Sequence, residues 1–280
     1  MNNAGIAGAG AMGAGIAQVF AQAGFKVTLF DLSQAQLDRA KADMEKNLSG
    51  AVSKNKMTEA EKNAALTRIT FTTDLQLLKA DIIIEAIVEK IEAKQELFQK
   101  LAAINSSETI LATNTSSIPV TRIAKNIPHP GRVAGLHFFN PAHIMQLVEI
   151  ISGAETLPEV AETLKNLTLK IGKTPILCQD SPGFIVNRVA RHYYVESLKI
   201  LEEKVASVET IDTLMESAGF KLGPFKLMDL VGHDINFAVT SSLFESFHQE
   251  AKFRPSRIQQ QKVDAGHLGK KSGKGFYNYN

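Results

Sequence analysis

Cysteine, excess charge of either sign and long apolar runs are all scarce in this sequence. Cys178 is the only cysteine among 280 residues, which excludes a disulfide framework and any multi-cysteine metal site. The formal net charge is +2, and the largest basic cluster, KKSGK at 270–274, is too small to predict a nucleic-acid site. No apolar run reaches the ~20 residues that a membrane-spanning helix needs. We therefore expect neither nucleic acid nor a membrane as a partner.

The N-terminal stretch MNNAGIAGAGAMGAGIAQVFAQAGF is rich in small apolar residues but differs from a secretory signal. No Lys or Arg precedes Lys26, so the basic region that opens a signal peptide is missing. Folded elements are predicted within a few residues of Met1, which leaves no room for a presequence. These features lead us to expect a cytoplasmic protein.

The first half of the chain alternates strand-like with helix-like segments, which predicts an α/β fold with a mainly parallel, doubly wound sheet. TEAE at 58–61 has the capping-box pattern, and residues 34–52 have the pattern of a polar amphipathic helix. AGIAG has little β-branched character and is the weakest strand. TPILCQD is expected to be a short buried strand, with Cys178 as a small core residue. The strand-like segments are AGIAG, FKVTLFD, RITFTTD, ADIIIEAIV, TILATNT, RVAGLHF, MQLVEII and the short run around Ile176.

The character of the sequence changes at SPGFIVNRV, which begins at residue 181. Helical periodicity continues from there, and no convincing strand run follows until the last few residues. We predict a Rossmann-like domain with a helical insertion over residues 1–183 and a smaller, all-helical domain over residues 184–280.

GAGAMG at residues 8–13 matches the pattern of a dinucleotide phosphate loop. It follows a strand-like segment and opens a helix, and the next strand ends in Asp31, 23 residues after Gly8. Gly8 permits the tight turn, Gly10 lets a pyrophosphate approach the backbone, and Gly13 allows close packing of helix and strand. Ala11 and Met12 begin the helix, whose N-terminus attracts phosphate. Asp31 would hydrogen-bond the ribose and repel a 2′-phosphate, which favours NAD over NADP; the alternative is a glycine turn with a packing role only.

His137 and Glu149 stand out as polar residues in the apolar stretch GLHFFNPAHIMQLVEI, residues 135–150. Pro141 ends the first strand of this stretch. If the two strands pair antiparallel around a loop centred near His143, His137 lies opposite Glu149, because each is six residues from the centre. Directly opposed side chains have Cβ atoms about 4.5–5.5 Å apart, within reach of a hydrogen bond.

Such a pair suits a nicotinamide dehydrogenase, in which a base takes a hydroxyl proton as the hydride leaves. Histidine titrates near neutral pH, and a buried carboxylate orients its ring and stabilises the imidazolium. The alternative is a core histidine tied to a structural glutamate, and the phosphate loop favours catalysis. The other six histidines lack a strand-end position. No His/Asp/Glu spacing indicates a metal site.

Several collinear motifs extend from the phosphate loop to the final GKGFYNY. They are GAGAMGAGIAQVFAQAG, EAIVE, NTSS, GLHFFNPAHIMQLVEI, SPGFIVNR and GPFKLMDLVG. These motifs closely resemble those of the L-3-hydroxyacyl-CoA dehydrogenase family, which includes the bacterial 3-hydroxybutyryl-CoA dehydrogenases. The resemblance implies reversible, NAD-linked oxidation of a (3S)-3-hydroxyacyl-CoA to the 3-oxoacyl-CoA, with short chains favoured and a homodimer formed through the helical domain.

The resemblance also implies roles for individual residues. His137 matches the catalytic base of the family and Glu149 the partner of that base. Ser116 matches a residue that hydrogen-bonds the substrate oxygen near the nicotinamide, and Asn187 one that holds the substrate carbonyl. Lys54 matches a lysine that meets the CoA phosphates. Positions that contact the cofactor are matched by Glu89, Lys94, Asn114 and Lys271.

Three of these assignments have plain structural alternatives. Ser116 could cap the helix begun by SSIPVTRIAK, with Pro119 in its first turn. Asn187 could be a polar residue on a helix surface, and Lys54 part of a solvated face. One departure is Asn47, which stands where some relatives place a small hydroxyl residue near CoA.

Two rival functions remain open at this level. A structural dinucleotide-binding protein of the lens-crystallin kind would bind NAD without turnover, but it would not need His137 and Glu149 together. A dehydrogenase for a free hydroxy acid would not need a CoA-binding helical arm, and sister families of that kind often use a catalytic lysine.

Overall fold

The computed structural model describes residues 1–279, and the chain divides into two compact units, Met1–Ser181 and Pro182–Asn280. The division falls two residues before the boundary predicted at 183. Asp180 explains where the first unit ends, because its carboxylate accepts hydrogen bonds from the backbone N–H groups of Val120 and Thr121.

The first unit contains one eight-stranded sheet with the order β3-β2-β1-β4-β5-β6-β7-β8. Every neighbouring pair is parallel except β6 and β7, which are antiparallel. The predicted fold class, a doubly wound α/β unit followed by a helical one, is confirmed. The strands are β1 (Asn3–Ala7), β2 (Lys26–Phe30), β3 (Ile69–Thr72), β4 (Ile82–Glu85), β5 (Ile110–Thr113), β6 (Val133–Phe138), β7 (Leu147–Ser152) and β8 (Thr174–Gln179).

Helices and short 3-10 turns connect these strands. The predicted capping box is present at the start of α3, where the Thr58 hydroxyl accepts from the Glu61 N–H and the Glu61 carboxylate accepts from the Thr58 N–H. Ser33 caps α2 by accepting from the N–H of Gln36. The helices are α1 (Ala11–Gln22), α2 (Gln34–Ser53), α3 (Glu59–Thr67), α4 (Ile91–Ile104), α5 (Val120–Ala124) and α6 (Pro158–Lys170).

The strand order places a ligand crevice beside β1. β1 pairs with β2 on one side and with β4 on the other, so the sheet order reverses at this strand. In open α/β sheets, ligands bind at the carboxyl ends of the strands at such a switch point. The weak β propensity of AGIAG does not prevent a five-residue strand, because neighbours on both sides supply its hydrogen bonds.

β8 differs from its prediction as a buried strand. It is the edge strand of the sheet, and Ile176 and Leu177 are 40% and 48% exposed. Cys178 is half-buried and not a core residue. Burial, together with the charges of Glu149 and Asp180, raises the pKa of its thiol to about 12. The thiol therefore stays protonated and unreactive near neutral pH.

The second unit is helical around a core that includes Tyr194, Leu198, Ile211, Phe225 and Met228. Over the described part of this unit there are two isolated β-bridges, near the end of the chain, and no strand. The last residues instead close on Asp229 of α9. The helices are α7 (Val186–Glu202), α8 (Val208–Ser217), α9 (Pro224–Val231), α10 (His233–Ser246) and α11 (Arg257–Asp264).

No helix among residues 1–279 combines the length and apolarity needed to cross a membrane. The cytoplasmic location expected from the sequence stays a prediction.

Candidate functional site

The glycine loop has the geometry that close approach of a ligand requires. Gly8 has a φ of +103°, and a Cβ there would lie 2.6 Å from the carbonyl oxygen of Ala86. A Cβ on Gly13 would lie 1.8 Å from the carbonyl oxygen of Gly8. Around Gly10, by contrast, a Cβ would meet no atom within 4 Å. The first and third glycines are thus required by packing, and the second borders open space where a pyrophosphate fits.

The N-terminus of α1 faces this open space. Gly10 is the N-cap residue, and no side chain of residues 1–279 caps the helix. The N–H groups of the first turn, at Ala11, Met12 and Gly13, therefore have no acceptor within the helix. Such a terminus binds anions through its N–H groups and its dipole.

Asp31 lies at the end of β2 and holds the glycine loop in place. Its Oδ2 accepts from the N–H of Ala9 at 2.8 Å, and its Oδ1 accepts from the N–H of Ser33 at 2.9 Å. Each carboxylate oxygen can accept a further hydrogen bond, which is the capacity that ribose hydroxyls need.

A cleft of about 600 Å³ extends from the loop across the carboxyl ends of β1, β2 and β4. Its walls are mostly apolar, and Asp31 and Lys100 are among its few charged residues. Mostly apolar walls with a few placed polar groups are typical of a cofactor site, and here they suit the adenosine half of NAD. The lining residues are Gly8, Gly10, Phe30, Asp31, Leu32, Ser33, Gln36, Leu75, Ala86, Ile87, Val88, Ala93, Glu96, Leu97 and Lys100.

The predicted pairing of His137 with Glu149 is confirmed. The two residues are directly opposed on β6 and β7, and His137 Nδ1 lies 2.8 Å from Glu149 Oε2. His137 is 5% exposed and Glu149 is 0% exposed. Because an ionised carboxylate only accepts, Nδ1 carries the proton and Nε2 carries the lone pair. The arrangement is that of a base and the group that orients it.

Asn114 connects the ends of β5 and β6. Its side-chain Oδ1 accepts from the N–H of Phe138 at 2.8 Å, and its own N–H donates to the carbonyl of Glu85. The amide therefore fixes the backbone directly after His137. This is a positioning contact that the sequence did not predict for Asn114.

Glu85 and Lys94 form a buried ion pair at the end of β4, with Lys94 Nζ 2.6 Å from Glu85 Oε1. Glu85 is 0% exposed and Lys94 is 1% exposed. Glu85 also accepts from the N–H of Ile87 at 2.7 Å and from the Thr113 hydroxyl at 2.8 Å. Since a buried ion pair persists only when its geometry and hydrogen bonds are good, these contacts specify the local structure.

Lys94 links this pair to the loop that carries Ser116. Its Nζ lies 3.1 Å from Glu89 Oε2. Glu89 Oε1 in turn accepts from the Thr115 hydroxyl and from the Ser116 N–H, the latter at 3.1 Å. Burial raises the pKa of Glu89, but Lys94 and the Thr115 and Ser116 hydrogen bonds outweigh it, so the pKa lies below its usual value near 4.5. Glu89 is therefore ionised at neutral pH and holds the loop through charge-assisted hydrogen bonds.

The structure decides against one alternative for Ser116. Pro119, and not Ser116, is the N-cap residue of α5, and Asp180 satisfies the first N–H groups of that helix. The Ser116 hydroxyl makes no hydrogen bond to the described residues. It is half-buried and can serve a ligand.

Sequence reasoning missed Glu85, Thr115 and Asp180. The signal for Glu85 was available, because a charged residue closes the apolar strand DIIIE at the carboxyl edge. The signals for Thr115 and Asp180 were absent, because their partners are distant in sequence.

Lys54 is exposed and is the C-cap residue of α2. Asn47 on the same helix lines a second, more polar cleft of about 620 Å³ with Lys56, Arg68 and His143.

Two predicted site residues belong to the second unit. Asn187 lies in the first turn of α7 and is half-buried. Lys271 lies in a 3-10 turn, and its Nζ is 2.6 Å from Asp234 Oδ1. Among the described residues, no group of three or more His, Cys, Asp or Glu side chains could hold a metal ion.

Both units match family models. Residues 3–181 match the model described as 3-hydroxyacyl-CoA dehydrogenase, NAD binding domain, and residues 183–279 match the model of the C-terminal domain of the same enzymes.

The chain is also similar to individual proteins. It is 50% identical to 3-hydroxyadipyl-CoA dehydrogenase of Escherichia coli K12 over 98% of its own length and 58% of that protein. It is 44% identical to a probable 3-hydroxybutyryl-CoA dehydrogenase of Deinococcus radiodurans, over 98% of this chain and 99% of the relative. The crystal structure of (S)-3-hydroxybutyryl-CoA dehydrogenase from Ralstonia eutropha superposes with a TM-score of 0.96 at 38% identity, covering 100% of this chain and 99% of that one. The chain thus spans little more than half of the first relative and nearly all of the other two.

Proposed function

The chain belongs to the 3-hydroxyacyl-CoA dehydrogenase family, and we propose that it interconverts a short-chain (3S)-3-hydroxyacyl-CoA and the 3-oxoacyl-CoA. Family membership makes it an NAD-dependent dehydrogenase with an NAD-binding first unit, as the sequence predicted. The substrate and the roles of individual residues are the parts that we propose.

The contact between His137 and Glu149 is the single observation that best supports this mechanism. Glu149 holds the Nδ1–H, so Nε2 is the atom that takes the C3 hydroxyl proton in oxidation and returns it in reduction. The carboxylate stabilises the imidazolium formed on the way. NAD, when bound, supplies the hydride acceptor.

Asp31 and the glycine loop select and orient the cofactor in this proposal. The α1 N-terminus binds the pyrophosphate, and Asp31 accepts from the ribose hydroxyls. A 2′-phosphate beside the Asp31 carboxylate would be repelled, which favours NAD over NADP.

Three further residues are assigned to the substrate. Ser116 donates its hydroxyl to the substrate oxygen, on a loop that Glu89 holds in place. Asn187 holds the substrate carbonyl. Lys54 offers a cation to the CoA phosphates. Lys271 and Lys94 are assigned to the cofactor side, although Lys94 acts through Glu89 because its ammonium is buried between two carboxylates.

One assay tests the proposal against its rivals. Purified protein and NADH are mixed with acetoacetyl-CoA or with free acetoacetate, and the loss of NADH is followed. Turnover of the thioester is the expected result. Turnover of the free acid alone would overturn the CoA assignment, and NAD binding with no turnover of either would favour a structural protein.

A longer, dicarboxylic acyl group is a second candidate substrate. The relative at 50% identity is named a 3-hydroxyadipyl-CoA dehydrogenase, and the acyl chain of 3-hydroxyadipyl-CoA ends in a carboxylate. The same assay run with 3-hydroxyadipyl-CoA and 3-hydroxybutyryl-CoA ranks the two substrates by kcat/KM.

The proposed homodimer forms through the second unit. Exposed apolar side chains gather where α9 meets α10, at Leu230 (53%), Val231 (38%) and Ile235 (52%). An exposed apolar cluster of this kind on a helical unit suits association with a second copy.

A further inference from the structure

Arg191 is a buried cation without an acidic partner in the part of the chain that the structure describes. It lies on α7 and is 3% exposed. Its Nη1 donates to the carbonyl and to the side-chain Oδ1 of Asn236 and to the Thr240 hydroxyl, at 2.8–3.1 Å. Over residues 1–279, no carboxylate lies within ion-pair distance of the guanidinium. All of its hydrogen-bond partners are therefore neutral.

One side of the guanidinium is left without partners in the described structure. Nε is buried and has no hydrogen-bond partner, and Nη2 makes no hydrogen bond to a described residue. The Nε and Nη2 groups together form a fork that binds a carboxylate through two parallel hydrogen bonds. The unused side of Arg191 thus has the shape and charge of a carboxylate receptor.

The cation persists despite its burial. Burial lowers the pKa of Arg191 to about 10, which still leaves the guanidinium protonated near neutral pH. A buried charge without a partner is costly to keep, so such groups are paired or serve a ligand. Neutral residues stabilise the site without neutralising it: Gln259 donates to Asn236, and the Tyr194 ring lies 5.2 Å from the guanidinium carbon.

Arg191 is also one turn along the helix from Asn187, the residue assigned to the substrate carbonyl. Residues four apart share a helix face, with Cβ atoms about 5–6 Å apart. In a six-carbon dicarboxylic acyl chain, three bonds separate C3 from the terminal carboxyl carbon, about 4 Å when extended. The spacing of the Asn187 and Arg191 side chains along the helix is therefore comparable with the distance from C3 to the terminal carboxylate of such a chain.

We propose that Arg191 binds the terminal carboxylate of a dicarboxylic 3-hydroxyacyl-CoA and thereby makes the enzyme selective for that substrate class. This inference rests on the proposed function, since it needs the acyl chain to lie along α7 from Asn187. Asn236 and Thr240 orient the guanidinium from α10 and leave its Nε side to the ligand.

The test compares two six-carbon substrates that differ in the terminal group. 3-Hydroxyadipyl-CoA carries the carboxylate, and 3-hydroxyhexanoyl-CoA ends in a methyl group. The wild-type protein is expected to prefer the dicarboxylic substrate by about 10- to 100-fold in kcat/KM, as a charge-assisted hydrogen-bonded pair provides. Arg191→Met should abolish or reverse this ratio, and Arg191→Lys, which keeps a charge but loses the fork, should give an intermediate ratio. Arg257→Met, at an exposed arginine of α11, is the matched control and should keep the wild-type ratio.

The outcomes separate this inference from the proposed function. If the wild-type protein turns over both substrates equally, or prefers 3-hydroxyhexanoyl-CoA, the proposed role of Arg191 is overturned. The proposed dehydrogenase activity is unaffected by that result. If Arg191→Met loses activity on both substrates equally, so that the ratio of their kcat/KM values is unchanged, Arg191 has only a structural role. A wild-type protein that acts on no CoA thioester overturns the proposed function itself. If Arg191→Met does not fold, the ratios of kcat/KM for the two substrates in the wild type and in Arg191→Lys still test the role of Arg191.

Discussion

Two buried carboxylates, Glu149 and Glu85, organise the candidate site at the residue scale. Glu149 orients His137, and Glu85 holds Lys94, which in turn holds Glu89 and the Ser116 loop. The first contact was predicted from spacing and the second was not. Both carboxylates are 0% exposed, so each acts without competition from water.

His137→Gln is expected to lower kcat by about 10²- to 10⁴-fold, because a positioned general base contributes that much. NAD binding should survive, since the glycine loop follows β1 and Asp31 follows β2, whereas His137 lies on β6. Steady-state kinetics with acetoacetyl-CoA and a fluorescence titration with NADH measure the two properties. His248→Asn is the control. His248 is exposed, and asparagine tolerates the positive φ of this position. Turnover near the wild-type rate would show that His137 is not the base.

Glu85→Gln is expected to destabilise the protein by about 3–5 kcal/mol, because it leaves the Lys94 ammonium without its closest buried partner. Loss of position at the Ser116 loop should also lower kcat by about 10- to 100-fold. Thermal melting and steady-state kinetics are measured on the same preparation.

The double variant Glu85→Gln/Lys94→Met separates the two effects. It removes the buried cation as well, so part of the stability should return. Glu89 now loses its own ammonium partner, so kcat should stay low. Recovery of kcat together with stability would contradict a positioning role for this pair.

At the scale of elements, Asp229 fixes the last residues of the second unit to α9. Its carboxylate accepts from the N–H groups of Phe276 and Tyr277, from the Tyr279 hydroxyl and from His233 Nε2, all at 2.7–3.0 Å. A Cβ on Gly275 would lie 2.1 Å from Asp229 Oδ1, so glycine is required at that contact. This segment carries Lys271, and its course depends on one buried carboxylate.

This carboxylate predicts a dependence of stability on pH. Burial raises the pKa of Asp229, but hydrogen bonds from His233, Tyr277, Phe276 and Tyr279 outweigh it, so the folded pKa lies below the usual value near 3.8. The stabilisation is therefore complete above about pH 4 and is lost as the pH falls through the folded pKa. Asp229→Asn should lower the free energy of unfolding by about 2–3 kcal/mol near neutral pH and reduce the further loss in acid.

Thermal melts from about pH 7 to about pH 3 check this expectation. Asp264→Asn, at an exposed aspartate of α11, should behave as the wild type throughout. An Asp229→Asn variant with the wild-type dependence on pH would show that other groups determine acid sensitivity.

At the scale of the whole molecule, the exposed apolar cluster of Leu230, Val231 and Ile235 predicts self-association. Ile235→Glu would place a charge in the proposed interface, where burial without a partner is costly. We expect the wild type to elute as a dimer and the variant as a monomer in size-exclusion chromatography with light scattering. Val205→Glu, at a 70% exposed valine outside the cluster, should remain dimeric. A dimeric Ile235→Glu variant would exclude this surface as the interface.

Much of the fold was predictable because it depends on local patterns. Alternation of strands and helices predicted the doubly wound sheet, and the Thr-x-x-Glu pattern predicted the start of α3. The burial predicted for TPILCQ was wrong, because burial depends on the position of a strand in the sheet. TPILCQ is apolar enough for a buried strand, yet β8 is an edge strand.

The sequence alone determined the glycine loop, Asp31 at the end of the next strand, and the pairing of His137 with Glu149. These depend on short separations and on the two-residue period of strands, which the order of residues specifies directly. Tertiary structure decided which polar residues share one environment. Asp180 caps α5 from about 60 residues away, and Arg191 meets Asn236 and Thr240 across two helices, with no carboxylate of residues 1–279 within ion-pair distance. Such neighbours meet only when the whole chain packs, because burial and the absence of a counter-charge are properties of the folded interior and not of a segment.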